Sequence, residues 1–283
     1  MSRYSLRDKV VLITGATGGI GAACARDLLD RGARLVLVDL DRAALDALSA
    51  ELGTGAVLAV AADVTSFEQM RSVADQAVAR FGRIDVVFAN AGTAVDPPVT
   101  VATADVAAYE RVIEVNLLGV WRTVKACLDE VIRNDGYVLV TASIYAFVNG
   151  IANSAYATSK AAVEMFGRSL RTELAHTGAR AGVLLPGWVV TPLAHPALGG
   201  NQTATTMARR AFKGPLGQPI SPERVAHAVT AGIERRSARI IEPRRWAPIS
   251  LLRGIFATAT DAWLDHDRTM SALVQRLESE AKH

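Results

Sequence analysis

Tyr156 and Lys160 are the residues of this 283-residue chain whose types and spacing point most directly to chemistry. Four residues apart on a helix is about one turn, so a phenol and an ammonium leave the same face and share one small site. An unperturbed phenol titrates near pH ~10, and a neighbouring cation favours the phenolate. Lowering that value by roughly three units takes about 4 kcal/mol of differential interaction, which a close lysine and one further positive charge can supply in a poorly solvated cleft. Tyr156 can then exchange a proton with an alcohol or carbonyl near neutral pH. Ser143 follows an expected strand, Tyr137 to Thr141, and its hydroxyl can bond the same substrate oxygen. A Tyr–Lys pair also occurs on helices that do no chemistry, so its meaning depends on the elements around it.

Those elements alternate. Lys9 to Thr14 is a continuous apolar run of strand length, followed by a Gly-rich turn and a helix-compatible segment from Gly19 to Arg31. Ala33 to Asp39 reads as a second buried strand, Arg42 to Leu52 as a helix, and Ala56 to Asp63 as a third strand. A helix from Ser66 to Phe81, a strand from Asp85 to Asn90 and a long helix from Thr103 to Arg133 continue the rhythm. The Tyr156 helix, Asn153 to His176, and a strand from Arg180 to Leu185 follow. Ser221-Pro222-Glu223 opens a helix to Arg236 with an N-cap, a first-turn proline and an acid, and Ile240-Ile241 is a last short strand. Buried strands separated by helices predict an α/β fold: a doubly wound parallel sheet of about seven strands with helices on both faces.

Composition fits one such domain. About half the residues are apolar, mean hydropathy is positive and the formal charge is only +3. No linker, repeat or charge run divides the chain. The first residues lack the apolar core of a signal peptide, and no apolar run is long enough to span a bilayer, so the expected location is the cytoplasm. Cys24 and Cys127 lie apart in expected helices and read as buried structural thiols. No clustered His, Cys and carboxylate set suggests a metal.

Thr14-Gly15-Ala16-Thr17-Gly18-Gly19-Ile20-Gly21 stands where the first strand becomes the first helix. Glycines there let the backbone turn tightly and approach a pyrophosphate, whose charge meets the helix N-terminal amides. The spacing Gly-x-x-x-Gly-x-Gly differs from the commoner Gly-x-Gly-x-x-Gly. Asp39 ends the second strand, where a carboxylate can accept hydrogen bonds from ribose hydroxyls and repel a 2′-phosphate.

The ordered set of motifs resembles the classical short-chain dehydrogenase/reductase family from about Lys9 to Ile241. It comprises Thr14-Gly15-x-x-x-Gly19-x-Gly21, Asp63-Val64, Asn90-Ala91-Gly92, Asn116, Ser143, Tyr156-x-x-x-Lys160, and Pro186-Gly187 with Thr191. The resemblance implies a Rossmann-type fold and hydride transfer between a nicotinamide and a carbon bearing oxygen, the oxidised nicotinamide being the second positive charge near Tyr156. It implies that Tyr156 is the acid/base, that Lys160 tunes Tyr156 and binds the nicotinamide ribose, that Ser143 orients the substrate oxygen and that Asn116 anchors a water in a proton relay. The cofactor is then held by Gly15, Thr17, Gly18, Gly19, Ile20, Gly21, Asp39 and Leu40 at one end. Asp63 and Val64 hold adenine, Asn90, Ala91 and Gly92 support the sheet beside the cofactor, Pro186, Gly187 and Val189 also belong to the cofactor site, and Thr191 contacts the carboxamide end. Ala89 stands where many relatives carry an Asn. Gly18 and Leu40 occupy positions where relatives preferring NADP often carry a basic residue, so NAD is expected, and Arg42 keeps NADP open.

A segment from Leu193 to Gly217, with a short helix around Thr206 to Phe212, interrupts the alternation as a substrate lid would. Trp188, Val189, Val190, Leu193, Leu198, Met207 and Phe212, with Phe147, Val148 and Ile151, would suit a bulky apolar secondary alcohol or ketone, such as a steroid, terpenoid or lipid-like compound. His195 reads as a solvated loop residue. Beyond Ile241 an extension, 242–283, runs through an apolar piece from Ile249 to Leu264 and a polar helix to His283. Its arginines and Trp246 fit peripheral contact with an anionic membrane, or packing over the cleft or a partner subunit. Basic residues confined to this tail argue against nucleic acid. The family resemblance implies a homodimer or homotetramer. An NADPH-dependent carbonyl reductase and a non-catalytic dinucleotide-sensing or membrane-docked protein are the alternatives to an NAD-dependent dehydrogenase.

Overall fold

In the computed structural model, which describes residues 4–53, 55–212 and 214–280, β-strand formation follows the apolar runs. The strands are β1 (Val10–Thr14), β2 (Arg34–Asp39), β3 (Val57–Ala61), β4 (Val86–Ala89), β5 (Tyr137–Thr141), β6 (Arg180–Pro186) and β7 (Arg239–Glu242). They form one parallel sheet in the order β3-β2-β1-β4-β5-β6-β7. Alternation along β2 shows why both faces must be covered: Leu35 and Leu37 enter one apolar layer, Val36 and Val38 the other. Helices α1 (Gly19–Asp30), α2 (Arg42–Leu52) and α8 (Pro222–Glu234) supply the first layer. Helices α3 (Phe67–Phe81), α5 (Val120–Arg133) and α6 (Ser154–Glu173) supply the second. The strand order reverses between neighbouring β1 and β4, which opens a crevice at their carboxyl ends.

Local chemistry sets several boundaries. Asp41 accepts from the Ala44 amide at 3.0 Å, Ser66 from Gln69 at 3.2 Å and Ser221 from Arg224 at 3.4 Å, capping α2, α3 and α8. The helix expected from Thr103 to Arg133 is instead α4 (Val106–Ile113), a π-helical turn Glu114–Gly119, and α5. Asp105 caps α4 through the Ala108 amide at 2.9 Å, which delays its start. The extra residue of the π turn comes where Gly119 meets Val64: a Cβ there would lie 2.7 Å from Val64 Cγ2.

After β6 the chain forms α7 (Gln202–Ala211), earlier than the expected Thr206 because Asn201 accepts from the Ala204 amide at 2.8 Å. Lys213, inside the expected lid, lies outside the described residues. The C-terminal extension forms three helices where two segments were expected: α9 (Ala247–Leu251), α10 (Arg253–His266) and α11 (Arg268–Glu280). The last part of the expected polar helix, 281–283, lies outside the described residues. Of the two readings of the tail, Trp246 follows packing rather than membrane contact. It is 1 % exposed and packs edge-on against Phe147 and Phe212, at 6.3 and 5.7 Å between ring centroids. Arg253 of the extension and Arg239 of β7 also turn inward, both pairing with buried Glu164, at 2.7 and 2.9 Å. No helix among the described residues is long and apolar enough to cross a membrane.

Candidate active site

At the crevice, the loop joining β1 to α1 is held in shape from two sides. Gly15 adopts φ +63°, and a Cβ on it would stand 2.8 Å from the Ala91 Cα, so a side chain there is disfavoured by both conformation and contact. Asn90 fixes the same turn by donating its Nδ2 to the carbonyls of Thr14 and Gly15, both at 3.3 Å, while its Oδ1 accepts from Thr141. Gly18 caps α1 without a side-chain acceptor, and no acid stands in the first turn. The amides there keep their partial positive charge for an anion. The turn could receive the phosphates of a dinucleotide.

Asp39, at the end of β2, does more than its sequence position suggests. Its Oδ2 accepts from the Thr17 amide at 2.9 Å and the Thr17 hydroxyl at 2.6 Å, and its Oδ1 accepts from the Leu40 amide at 2.8 Å. Three of roughly four acceptor positions are engaged, which leaves one for a ribose hydroxyl. Arg42, the residue that keeps NADP open, is exposed and bonds Asp46 at 3.0 Å. Burial pushes the Asp63 carboxyl up, but hydrogen bonds from Thr65 and the Arg111 guanidinium outweigh it and hold the group below the usual range. Val64 beside it is buried against Gly119. Ile20 and Gly21 begin α1, and a Cβ on Gly19 would lie 2.7 Å from Thr191 Cγ2, so the glycine turn and the segment after β6 are neighbours. Leu40 is 61 % exposed at the rim.

Tyr156 and Lys160 leave α6 together. The ammonium lies 5.4 Å from the phenol ring centroid, donates to the Thr141 carbonyl at 2.9 Å and is buried. A Cβ on Gly92 would lie 3.3 Å from that nitrogen. Burial moves the two groups in opposite directions. It drives Tyr156 up to about 12, with a hydrogen bond from Ser143 pulling the other way, and Lys160 down to about 8. The two side chains alone therefore do not lower the phenol as the helical spacing suggested, because desolvation dominates. Ser143, buried two residues beyond β5, also accepts from the Tyr145 amide at 3.2 Å. Asn116 is buried in the π turn. Its Nδ2 donates to the Thr93 carbonyl at 2.9 Å and the Ser159 hydroxyl at 3.0 Å, and its Oδ1 accepts from the Thr93 amide at 2.7 Å. The amide thus ties the strand β4 exit to α6.

Beyond these residues opens a cleft of about 330 Å³. Of the apolar lining expected from sequence, Trp188, Val189, Leu193, Met207, Phe212 and Ile151 face it, and so do Pro186, Gly187 and Thr191. Val190 is 58 % exposed, Phe147 is buried under Trp246, and Val148, Leu198 and His195 lie away from the lining. Sequence reasoning missed Tyr145, which stands edge-on to Tyr156 and Trp188 at 5.9 Å and to Phe212 at 6.3 Å. Its place two residues after Ser143 was the available signal. The segment from Thr93 to Pro98 also lines the cleft and carried no motif. Among the described residues, no group of three or more His, Cys, Asp or Glu side chains could hold a metal ion.

The family model described as short chain dehydrogenase matches residues 9–201. Cis-4-hydroxycyclohexanecarboxylate dehydrogenase of Sinomonas cyclohexanicum is 37 % identical over 224 residues, 78 % of this chain and 88 % of that protein. (+)-Borneol dehydrogenase 1 of Salvia officinalis is 33 % identical over 67 % of this chain and 73 % of its own length. Among solved structures, a short-chain dehydrogenase/reductase from Burkholderia phymatum in complex with NAD superposes with a TM-score of 0.78 at 24 % identity, over 89 % of this chain and 94 % of that one. That likeness is one of fold.

Proposed function

The chain belongs to the short-chain dehydrogenase/reductase family, whose members act on CH–OH groups, and from that premise we propose that it is an NAD-dependent dehydrogenase of a bulky, apolar secondary alcohol. The observation that carries the proposal is that Ser143 and Tyr156 line a mostly apolar cleft that adjoins the glycine turn, with Lys160 against the Tyr156 ring.

Bound NAD would supply the hydride acceptor. The remaining work falls to this chain. Ser143 and Tyr156 converge on the substrate oxygen; Ser143 orients it, and Tyr156 takes its proton in oxidation or returns one in reduction. Lys160, anchored on Thr141, offers its remaining donors to the nicotinamide ribose and its charge to the phenolate. Asn116 is proposed for the proton relay, with its amide serving as the fixed frame, because both Nδ2 donors are already engaged. Asp39 offers its one free acceptor position to a ribose hydroxyl, and its charge opposes a 2′-phosphate. That favours NAD, and Arg42, the cation that would favour NADP, is turned onto Asp46 in an exposed pair.

Tyr145, Trp188 and Phe212 give the cleft an aromatic wall suited to a ring-bearing or terpenoid-like alcohol; the borneol dehydrogenase relative favours that class, and the hydroxycyclohexanecarboxylate dehydrogenase relative favours a ring alcohol. The segment 193–217 is proposed as its lid. Exposed Leu118, Trp121 and Met165 on the outer faces of α5, its preceding turn and α6 favour a homodimer or homotetramer. Exposed Leu251 and Ile255 leave peripheral membrane contact by the extension as part of the proposal. The test is reduction of NAD or NADP with a panel of terpenoid, steroid and simple cyclic alcohols. Turnover with NAD and at least one bulky member is expected, and turnover with NADP alone would overturn the cofactor assignment.

A further inference from the structure

The C-terminal extension lines none of the cleft, yet it holds the elements that do. Three of them are walls of the cleft: the segment after β4, the loop after Ser143, and α7. Thr100 donates to Glu278 at 2.8 Å in the first, and Asn149 to Asp261 at 3.0 Å in the second.

The grip on α7 is the strongest. Arg210 closes on Asp267, at the α10–α11 junction, through contacts of 3.0, 2.8 and 2.8 Å, with Asp267 only 7 % exposed. Charge-assisted bonds in this two-pronged geometry are directional as well as strong. One turn away Met207, itself a lining residue, is buried against Met270 and Leu277 of α11, and lining residues Ile151 and Ala211 pack on the same cluster. Met207 therefore presents one side to the cleft and the other to the extension.

We infer that the extension is an intramolecular strap for α7: Arg210–Asp267 and the Met207–Met270 contact hold this helix over the cleft and fix the position of its outer wall. The effect on substrate rests on the function proposed above; the strap itself does not. Asp267 and Arg210 are positioning residues, since neither lines the cleft. A strap of this kind raises the fraction of molecules whose cleft is formed, and a substrate that needs the formed cleft binds in proportion to that fraction.

Amide hydrogen exchange on the full-length chain tests the strap without any turnover. Asp267 also caps α11 through the Thr269 and Met270 amides at 2.9 and 3.0 Å, so Asp267→Asn keeps a cap acceptor while removing the charge. Arg210→Met removes the other partner. Exchange over 202–211 is expected to quicken about tenfold or more in each variant and no further in the double variant, with β1 and α1 unchanged. Unchanged exchange of α7 in both single variants would overturn the strap. In NAD-linked assays with the best alcohol of the panel, the variants should raise KM about threefold or more with kcat nearly unchanged. Loosened exchange with KM unmoved would overturn the effect on substrate, and a wild type that oxidises no alcohol would count against the proposed function alone.

Discussion

Tyr156 and Lys160 stand one helical turn apart with the ammonium 5.4 Å from the phenol ring, and the same burial that drives the phenol up to about 12 drives the ammonium down to about 8. Near neutral pH the pair is a protonated phenol beside a cation kept charged at a cost. The environment opposes ionisation of both groups, which is the state a second positive charge delivered next to the phenol would unbalance toward phenolate.

Stability should report that cost. Lys160 titrates near 8 in the folded protein and near 10.5 unfolded, so the unfolded chain binds more protons between those values and stability rises with pH there. Below about pH 8 the buried charge opposes folding. Denaturation of the wild type and Lys160→Met from pH 7 to 10.5 should show the wild type gaining on the variant by up to about 3 kcal/mol. Comparing the pair cancels the buried thiols Cys24 and Cys127, which are pushed up and act above pH 9. A constant difference across the window would contradict the burial argument.

Asp39→Ala should act on cofactor and loop together. The variant loses the charge that opposes a 2′-phosphate and the acceptor that holds Thr17. NAD affinity should fall about 10–100-fold while NADP affinity holds or improves, as binding titrations of both would show. Equal losses for the two cofactors would assign Asp39 to loop support alone.

Trp246→Ala should cost about 3–5 kcal/mol of stability, because the indole is buried between Phe147 and Phe212. An interfacial anchor would behave differently: its loss would leave thermal stability intact and weaken binding to anionic vesicles.

Trp188→Ala and Phe212→Ala should lower kcat/KM for the bulkiest alcohol of the panel by about 10–100-fold while sparing a small cyclic alcohol. The two rings are 5.5 Å apart and form one wall, so the double variant should lose less than the sum of the singles. Equal losses for large and small alcohols would place the rings in folding rather than selection.

The sheet was legible from sequence because each strand is a short apolar run closed by a turn residue, and Ser221 and Pro222 marked the start of α8 as they stand. The pair Tyr156–Lys160 and the glycine turn were legible for the same local reason. What sequence could not give depended on contacts across the fold. The π turn around Asn116 sits where Gly119 meets Val64, residues 55 positions apart, and the rings that bury Trp246 come from beyond β5 and beyond β6. Tyr145 has no motif; only its three ring neighbours mark it. The direction of the Tyr156 shift also escaped the sequence, since helical spacing reveals a nearby cation but not how little water either group keeps.

The central claim, that Tyr156 moves the proton while NAD takes the hydride, is tested most directly by Tyr156→Phe at matched NAD occupancy. NADH formation with the best alcohol of the panel should fall by about 10²–10⁴-fold with NAD affinity unchanged. A Tyr156→Phe variant that oxidises the alcohol as fast as the wild type would contradict it.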